Sequence, residues 1–201
     1  ETPDLRPGVS VLFFAMDSES LGKRLMERIG QCVMTCPSTS CYNGIDEGNE
    51  IIVGGQLRYF GDGYQISKKI GEKRLWRIPV MDGEFLVDDI FKTKEAVGGG
   101  NILILAKDQN TALKAAKSAV KAMRCISNII LPFPNGVVRS GSKVGSKYKA
   151  LIASTNDEYC PTLASLVEKT EIVDGINSVL EIVIDGLTLE DVENAMRVGM
   201  E

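Results

Sequence analysis

The side chain best placed to do chemistry is Glu181, inside the strand-like run Val179-Leu-Glu-Ile-Val-Ile-Asp185. Period-two alternation sets it on the same face as Val179 and Val183. If that face is covered, the β-branched neighbours strip a carboxylate of solvation and favour its protonated form, which suits a general acid. If the face is the open side of an antiparallel sheet, Glu181 is an ordinary solvated residue. The residues alone leave these two readings level. The chain contains 0 histidines, which removes Ser-His-Asp and Cys-His nucleophilic machinery and imidazole-based zinc sites. Proton transfer then falls to a carboxylate, Lys, Tyr or Cys.

The 5 cysteines offer little. An odd count argues against a secreted disulfide framework. Cys32, Cys36 and Cys41 cluster without the paired C-x-x-C spacing of a zinc knuckle, so they read as structural and no metal is expected. Cys160 precedes Pro161 with no basic neighbour to activate its thiolate.

Several polar loops could meet a ligand. Gly61-Asp-Gly-Tyr64 reads as a hairpin turn, with Asp62 and Gln65 as candidate contacts. Gly98-Gly-Gly-Asn101 precedes a strand rather than a helix and so lacks the geometry of a phosphate loop. It predicts a close-packed turn that presents Asn101. Ser142-Lys-Val-Gly-Ser-Lys147 is polar and basic, and Ser154-Thr-Asn-Asp-Glu-Tyr-Cys-Pro161 is dense in hydrogen-bonding side chains.

The elements that carry these residues recur. Three stretches read as strand, short polar turn and amphipathic helix: Val9–Met16 with a helix from Leu21 to about Val33, Asn101–Lys107 with Ala112–Arg124, and Ser178–Asp185 with a helix after Thr188. Leu113, Ala116, Val120 and Met123 share one helix face, as do Leu189, Val192, Ala195 and Met196. Thr188 with Asp191 resembles a capping box. Arg74–Val80 and Gly83–Asp89 predict a hairpin about Met81-Asp82, and Ile126–Pro132 with Gly136–Ser140 a further strand pair. Two strand–helix units separated by two extra strands predict an α+β fold of ferredoxin-like α/β sandwiches, in two lobes related by internal duplication. The first lobe would span 1–80 and the second 81–201.

With 44% hydrophobic and 25% charged residues in 201, the chain is globular rather than disordered. A net charge of −4 disfavours nucleic acid and anionic membranes as partners. No apolar run nears the roughly 18 residues of a membrane span, and the expectation is a cytoplasmic protein.

Residue blocks along the whole chain resemble one family. Glu1-Thr-Pro-Asp4, Arg28-Ile-Gly-Gln-Cys-Val-Met-Thr35, Phe60-Gly-Asp-Gly-Tyr-Gln65, Trp76-Arg-Ile-Pro-Val80, Ser142-Lys-Val-Gly-Ser-Lys147, Tyr159-Cys-Pro-Thr162, Glu181-Ile-Val-Ile184 and Ala195-Met-Arg-Val-Gly199 are similar to the formylmethanofuran:tetrahydromethanopterin formyltransferases. The resemblance implies a homotetramer of two-lobed subunits, with 1–80 as the later part of a proximal lobe and 81–201 as most of a distal lobe. It also implies further N- and C-terminal segments in full-length members. It makes Glu181 the catalytic glutamate, and formylmethanofuran and tetrahydromethanopterin the coenzyme substrates, with no tightly bound cofactor. The substrate-binding candidates are Asp62, Gln65, Asn101, Ser142, Lys143, Ser146, Lys147, Ser154, Asn156 and Tyr159, the basic loop meeting the anionic tails of the coenzymes. Two other readings stay open: a subunit of a bacterial formyltransferase/hydrolase complex, and a non-catalytic interaction module of the same fold.

Overall fold

Each of the long helices starts on a polar cap that satisfies a free backbone N–H. In the computed structural model, which describes residues 2–201 and leaves Glu1 of the first motif outside, Asp17 accepts from the Ser20 N–H to open α1 (Ser18–Arg28), which runs on into a π-helical turn over Ile29–Val33. Asp108 likewise caps α3 (Gln109–Met123) through the Thr111 N–H. Thr188 caps α4 (Leu189–Met200) through the Asp191 N–H, and its hydroxyl donates back to Asp191 Oδ2 at 2.6 Å. The capping pair read from the sequence is therefore present.

The chain divides into two units, 1–95 and 96–201. The seam falls at 95/96 rather than 80/81. The reason is that β5 (Gly83–Asp88) is the antiparallel hairpin partner of β4 (Lys73–Val80), with Val80 opposite Gly83, and cannot leave the sheet that β4 belongs to.

In the first unit β1 (Ser40–Cys41), β5, β4 and β3 (Ile66–Ile70) lie side by side in that order, while β2 (Asn49–Ile52) pairs with β6 (Ile90–Thr93). Leu25 and Ile29 from α1 and its extension, Val53 and Leu57 flanking and ending the short α2 (Gly54–Leu57), and Ile78, Phe85, Val87 and Phe91 from the strands form the core. The run Val9–Met16 is not a strand. Among the described residues nothing pairs with it; Val9 and Val11 are exposed, and Phe13 alone of its aromatics packs onto the core.

The second unit holds β7 (Val97–Ala106), α3, β8 (Ile129–Ile130), a hairpin of β9 (Lys143–Val144) with β10 (Ala153–Ser154), β11 (Ser178–Gly186) and α4. Its sheet has the order β7-β11-β8 with β11 antiparallel to both neighbours, the strand arrangement of a ferredoxin-like βαββα framework. Leu180, Ile182 and Ile184 point to the helix side, where Ala116, Ala119, Val120, Met123, Val192 and Ala195 meet them. Two residues of the expected stripes lie off this core. Leu113 is exposed because Ala112, one residue earlier, takes the buried position, and Leu189 is exposed at the first turn of α4. The strand pair expected from Ile126–Pro132 and Gly136–Ser140 does not form between those segments. Both instead pair with β11, Ile129 and Ile130 opposite Gly186 and Asp185, and Val138 opposite Glu181.

Candidate active site

β11 is an interior strand, so Glu181 has its main chain fully engaged: its N–H donates to the Val138 carbonyl at 2.9 Å, and its carbonyl accepts from the Val138 N–H at 2.7 Å. Its side chain lies on the face away from the helices, as the alternation with Leu180 and Ile182 requires. That face is covered all the same, and Glu181 is only 9% exposed. Leu103 stands directly opposite it on β7, with Val179 and Val183 two residues away along β11. The chain that leaves Val138 turns at Gly141 and closes the remaining side.

Two contacts define the carboxyl. Oε1 accepts from Asn101 Nδ2 at 2.9 Å. Asn101 faces Val183 in the register, so the pair is a cross-strand diagonal on one face. Oε2 lies toward Gly141, where a Cβ would come within 3.9 Å of Oε2 and 3.6 Å of Asn156 Cβ. Gly141 has φ +56, a left-handed conformation that an L side chain adopts only with strain.

The glycine run before Asn101 is part of β7 rather than a turn ahead of it. Between Ile184↔Gly100 and Gly186↔Val97 the register slips by one residue, the signature of a β-bulge. Gly99 sits at φ +91, its N–H donates to Asp185 Oδ1 at 3.1 Å, and Gly100 packs where a Cβ would strike Val192. Together these fix the phase of β7, so that Asn101 faces Glu181 and not the helices.

The structure gathers some of the remaining candidates around this point. Asn156 packs beside Gly141. Lys143 pairs with Asp157, whose Oδ1 is shielded from solvent and takes the ammonium as an ion pair; this bond holds the Asp157 carboxyl below the usual carboxylate range. Ser154 lies opposite Lys143 in the β9–β10 hairpin. Tyr159 is half-buried in the 3-10 turn Asp157–Tyr159, and Ser142 is exposed just before β9. Ser146 and Lys147 lie in the connection between β9 and β10, where Ser146 Oγ accepts from the Tyr148 N–H at 3.1 Å. Asp62 and Gln65 belong to the first unit. There the expected hairpin turn is the end of a 3-10 helix, Arg58–Gly61, with Asp62 in the left-handed position (φ 50). Gln65 Oε1 accepts from the Gly63 N–H at 2.9 Å, so that oxygen closes its own loop. Sequence reasoning missed Gly141, Asp157 as the partner of Lys143, and Asp185 as the clamp on the bulge. A glycine between Ser140 and Ser142 was a usable sign of a tight turn; the other two depend on partners far off in sequence.

Known proteins match this chain in sequence and fold. Residues 1–80 match the family model "Formylmethanofuran-tetrahydromethanopterin formyltransferase", and 83–201 the model "FTR, proximal lobe". The name proximal thus goes to the second part of the chain, not to the first as the resemblance implied. The formylmethanofuran–tetrahydromethanopterin formyltransferase of Methylococcus capsulatus is 60% identical over 201 residues, covering 100% of this chain and 67% of the relative. The crystal structure of the formyltransferase/hydrolase complex from Methylorubrum extorquens in complex with methylofuran superposes with a TM-score of 0.84 at 46% identity, over 92% of this chain and 61% of that one. The formylmethanofuran:tetrahydromethanopterin formyltransferase of Methanosarcina barkeri gives 0.81 at 40%, over 92% and 63%. The chain therefore spans roughly two thirds of the length of its curated relatives. With the two family models together matching 1–80 and 83–201 and the ferredoxin-like second unit in place, the chain belongs to the formylmethanofuran–tetrahydromethanopterin formyltransferase family.

Proposed function

We propose that this chain carries out formyl transfer from formylmethanofuran to N5 of tetrahydromethanopterin, with Glu181 as the general acid. The observation that carries the reading is a carboxyl buried on the helix-free face of the sheet, one oxygen held by Asn101 and the other facing a left-handed glycine turn. In the reaction the N5 lone pair forms the new C–N bond while the carbonyl π electrons move onto oxygen. A protonated Glu181 hydrogen-bonds or donates to that oxygen as charge develops. Collapse re-forms the C=O bond, returning to Glu181 any proton it gave the oxygen, and breaks the bond to the methanofuran amine, which departs with the proton that N5 loses. The chemistry calls on no group beyond the two coenzymes.

Ser142, Lys143, Ser146, Lys147, Ser154, Asn156 and Tyr159, in the second unit, supply the polar side chains that we assign to the coenzyme tails; Asp62 and Gln65, in the first unit, are assigned to substrate binding separately. The homotetramer implied by the resemblance and the cytoplasmic location expected from the composition belong to the same proposal. Among the described residues, no helix is long and apolar enough to cross a membrane. The likeness to the Methylorubrum extorquens complex favours one second reading, a subunit that works beside a hydrolase. Stable co-purification with such a subunit distinguishes it.

The test is formyl transfer by the full-length protein and its Glu181→Gln variant. A loss of about a hundredfold or more in the variant is expected on removing a general acid or oxyanion donor. Equal turnover in the two proteins rules out Glu181 as the acid.

A further inference from the structure

An amide N–H donates and cannot accept. The oxygen of Glu181 that Asn101 Nδ2 holds at 2.9 Å must therefore offer a lone pair, whether the carboxyl is charged or neutral. With the amide in this orientation, the hydrogen of a protonated Glu181 is favoured on Oε2 over Oε1. Oε2 is the oxygen beside Gly141, where a Cβ would stand 3.9 Å from it and glycine puts no side chain. Asn101 is itself exposed, whereas Glu181 is buried. The donor thus approaches from the solvent side of the sheet, and its position is set by the bulge at Gly98–Gly99 and by the Asp185 clamp on the Gly99 N–H.

From this geometry we infer that Asn101 is a positioning residue: it holds the protonated Glu181 in one tautomer, with the O–H on Oε2 and directed into the space kept by Gly141. The inference rests on Glu181 acting as the general acid and adds which oxygen delivers the proton and what selects it. The opposite tautomer would require the Asn101 amide to turn over and present Oδ1, and would leave Oε2 as a bare acceptor facing the substrate oxygen. Substrate binding would survive such a change, but proton delivery would not. The effect of Asn101 is therefore expected in kcat and not in KM.

The experiment uses the full-length enzyme and five forms: parent, Glu181→Gln, Asn101→Leu, Asn101→Asp and the Asn101→Leu/Glu181→Gln double variant. Asn101→Leu keeps the side-chain size and removes the donor; kcat is expected to fall on the order of ten- to hundredfold, as for one hydrogen bond to an ionisable group, with KM within about twofold. Asn101→Asp replaces the donor by acceptors in the same shape and is expected to fall further. In the Glu181→Gln background, Asn101→Leu is expected to cost nothing more, because its effect passes through the acid. The inference is overturned if Asn101→Asp keeps the parental kcat, if Asn101→Leu raises only KM, or if its cost is the same with and without Glu181.

Glu181→Gln turning over like the parent overturns the general-acid reading instead. Infrared spectra with carboxyl-labelled glutamate, compared for the parent, Asn101→Leu and Glu181→Gln, then test the contact without turnover. Loss of the Asn101 donor is expected to move the Glu181 C=O band to higher wavenumber, and an unmoved band removes Asn101 from the carboxyl.

Discussion

Each unit of the molecule buries a carboxylate on a strand, and the two are held in opposite ways. Asp88, at the end of β5 in the first unit, is 7% exposed and accepts a main-chain hydrogen bond from the Asn43 N–H at 2.8 Å. Burial pushes its pKa up, with the Asn43 N–H and the Lys73 charge opposing. Glu181, on β11 in the second unit, is 9% exposed and is held by the side chain of an exposed residue, through one oxygen. Asp88 ties the segment at Asn43 to the sheet; its partner is backbone and cannot turn away. Glu181 keeps its second oxygen toward a turn that only glycine makes without strain. Burial alone does not mark a catalytic group. What separates the two carboxylates is what holds them: main chain for Asp88, and for Glu181 the side chain of an exposed residue beside a left-handed glycine turn.

That contrast can be broken at Gly141. Gly141→Val forces a branched side chain into φ +56 and into the space before Oε2. The expected outcome is a loss of formyl transfer on the order of a hundredfold, the scale of general-acid catalysis, with circular dichroism unchanged. Near Asp88 the apolar surroundings are read out by Cys41, whose thiol burial pushes up to about 11, with the Asp88 charge adding to it. Its alkylation at neutral pH is expected to be about a hundredfold slower than that of an ordinary thiol. Exposed Cys32, Cys36 and Cys125 serve as internal references in a peptide-resolved labelling experiment.

Asp185→Ala removes the clamp on Gly99 and loosens the phase of β7. Formyl transfer is expected to drop by about tenfold through misplacement of Asn101, and stability by about 1 kcal/mol in denaturant titration. The smallest effect is at Asp88. Its folded-state pKa lies above the unfolded value, so the stability it contributes is full below the ordinary carboxylate range and is lost as pH rises through the raised value. Asp88→Asn is therefore expected to unfold later than the parent at neutral pH, by about 1 kcal/mol at most. The difference should close as pH falls below the carboxylate range, with formyl transfer unchanged throughout.

The second unit was largely legible because its signals are local. Asp108 and Thr188 cap their helices within three residues, and the alternation through Val179–Asp185 placed Glu181 on its face correctly. What the sequence left open was whether that face was covered. The cover comes from Val138 and Gly141, about 40 positions earlier in the chain, and no periodicity encodes that approach. The same limit explains the β-bulge. A run of three glycines signals irregular backbone, but the Asp185 carboxylate that decides its form lies 86 residues away. In the first unit, Val9–Met16 has the composition of a strand without a ladder partner among the described residues, and propensity alone does not make a strand. The resemblance supplied the role of Glu181, which the residues by themselves left undecided.

The most direct test measures stability and turnover together in Glu181→Gln and Asp88→Asn. Glu181→Gln is expected to keep the parental Tm, since a Gln oxygen still accepts from Asn101, while formyl transfer falls about a hundredfold or more. Asp88→Asn is expected to shift Tm with its turnover intact. A Glu181→Gln protein that turns over normally, or one that loses activity only in step with its fold, would contradict the claim that this buried carboxyl is there for chemistry.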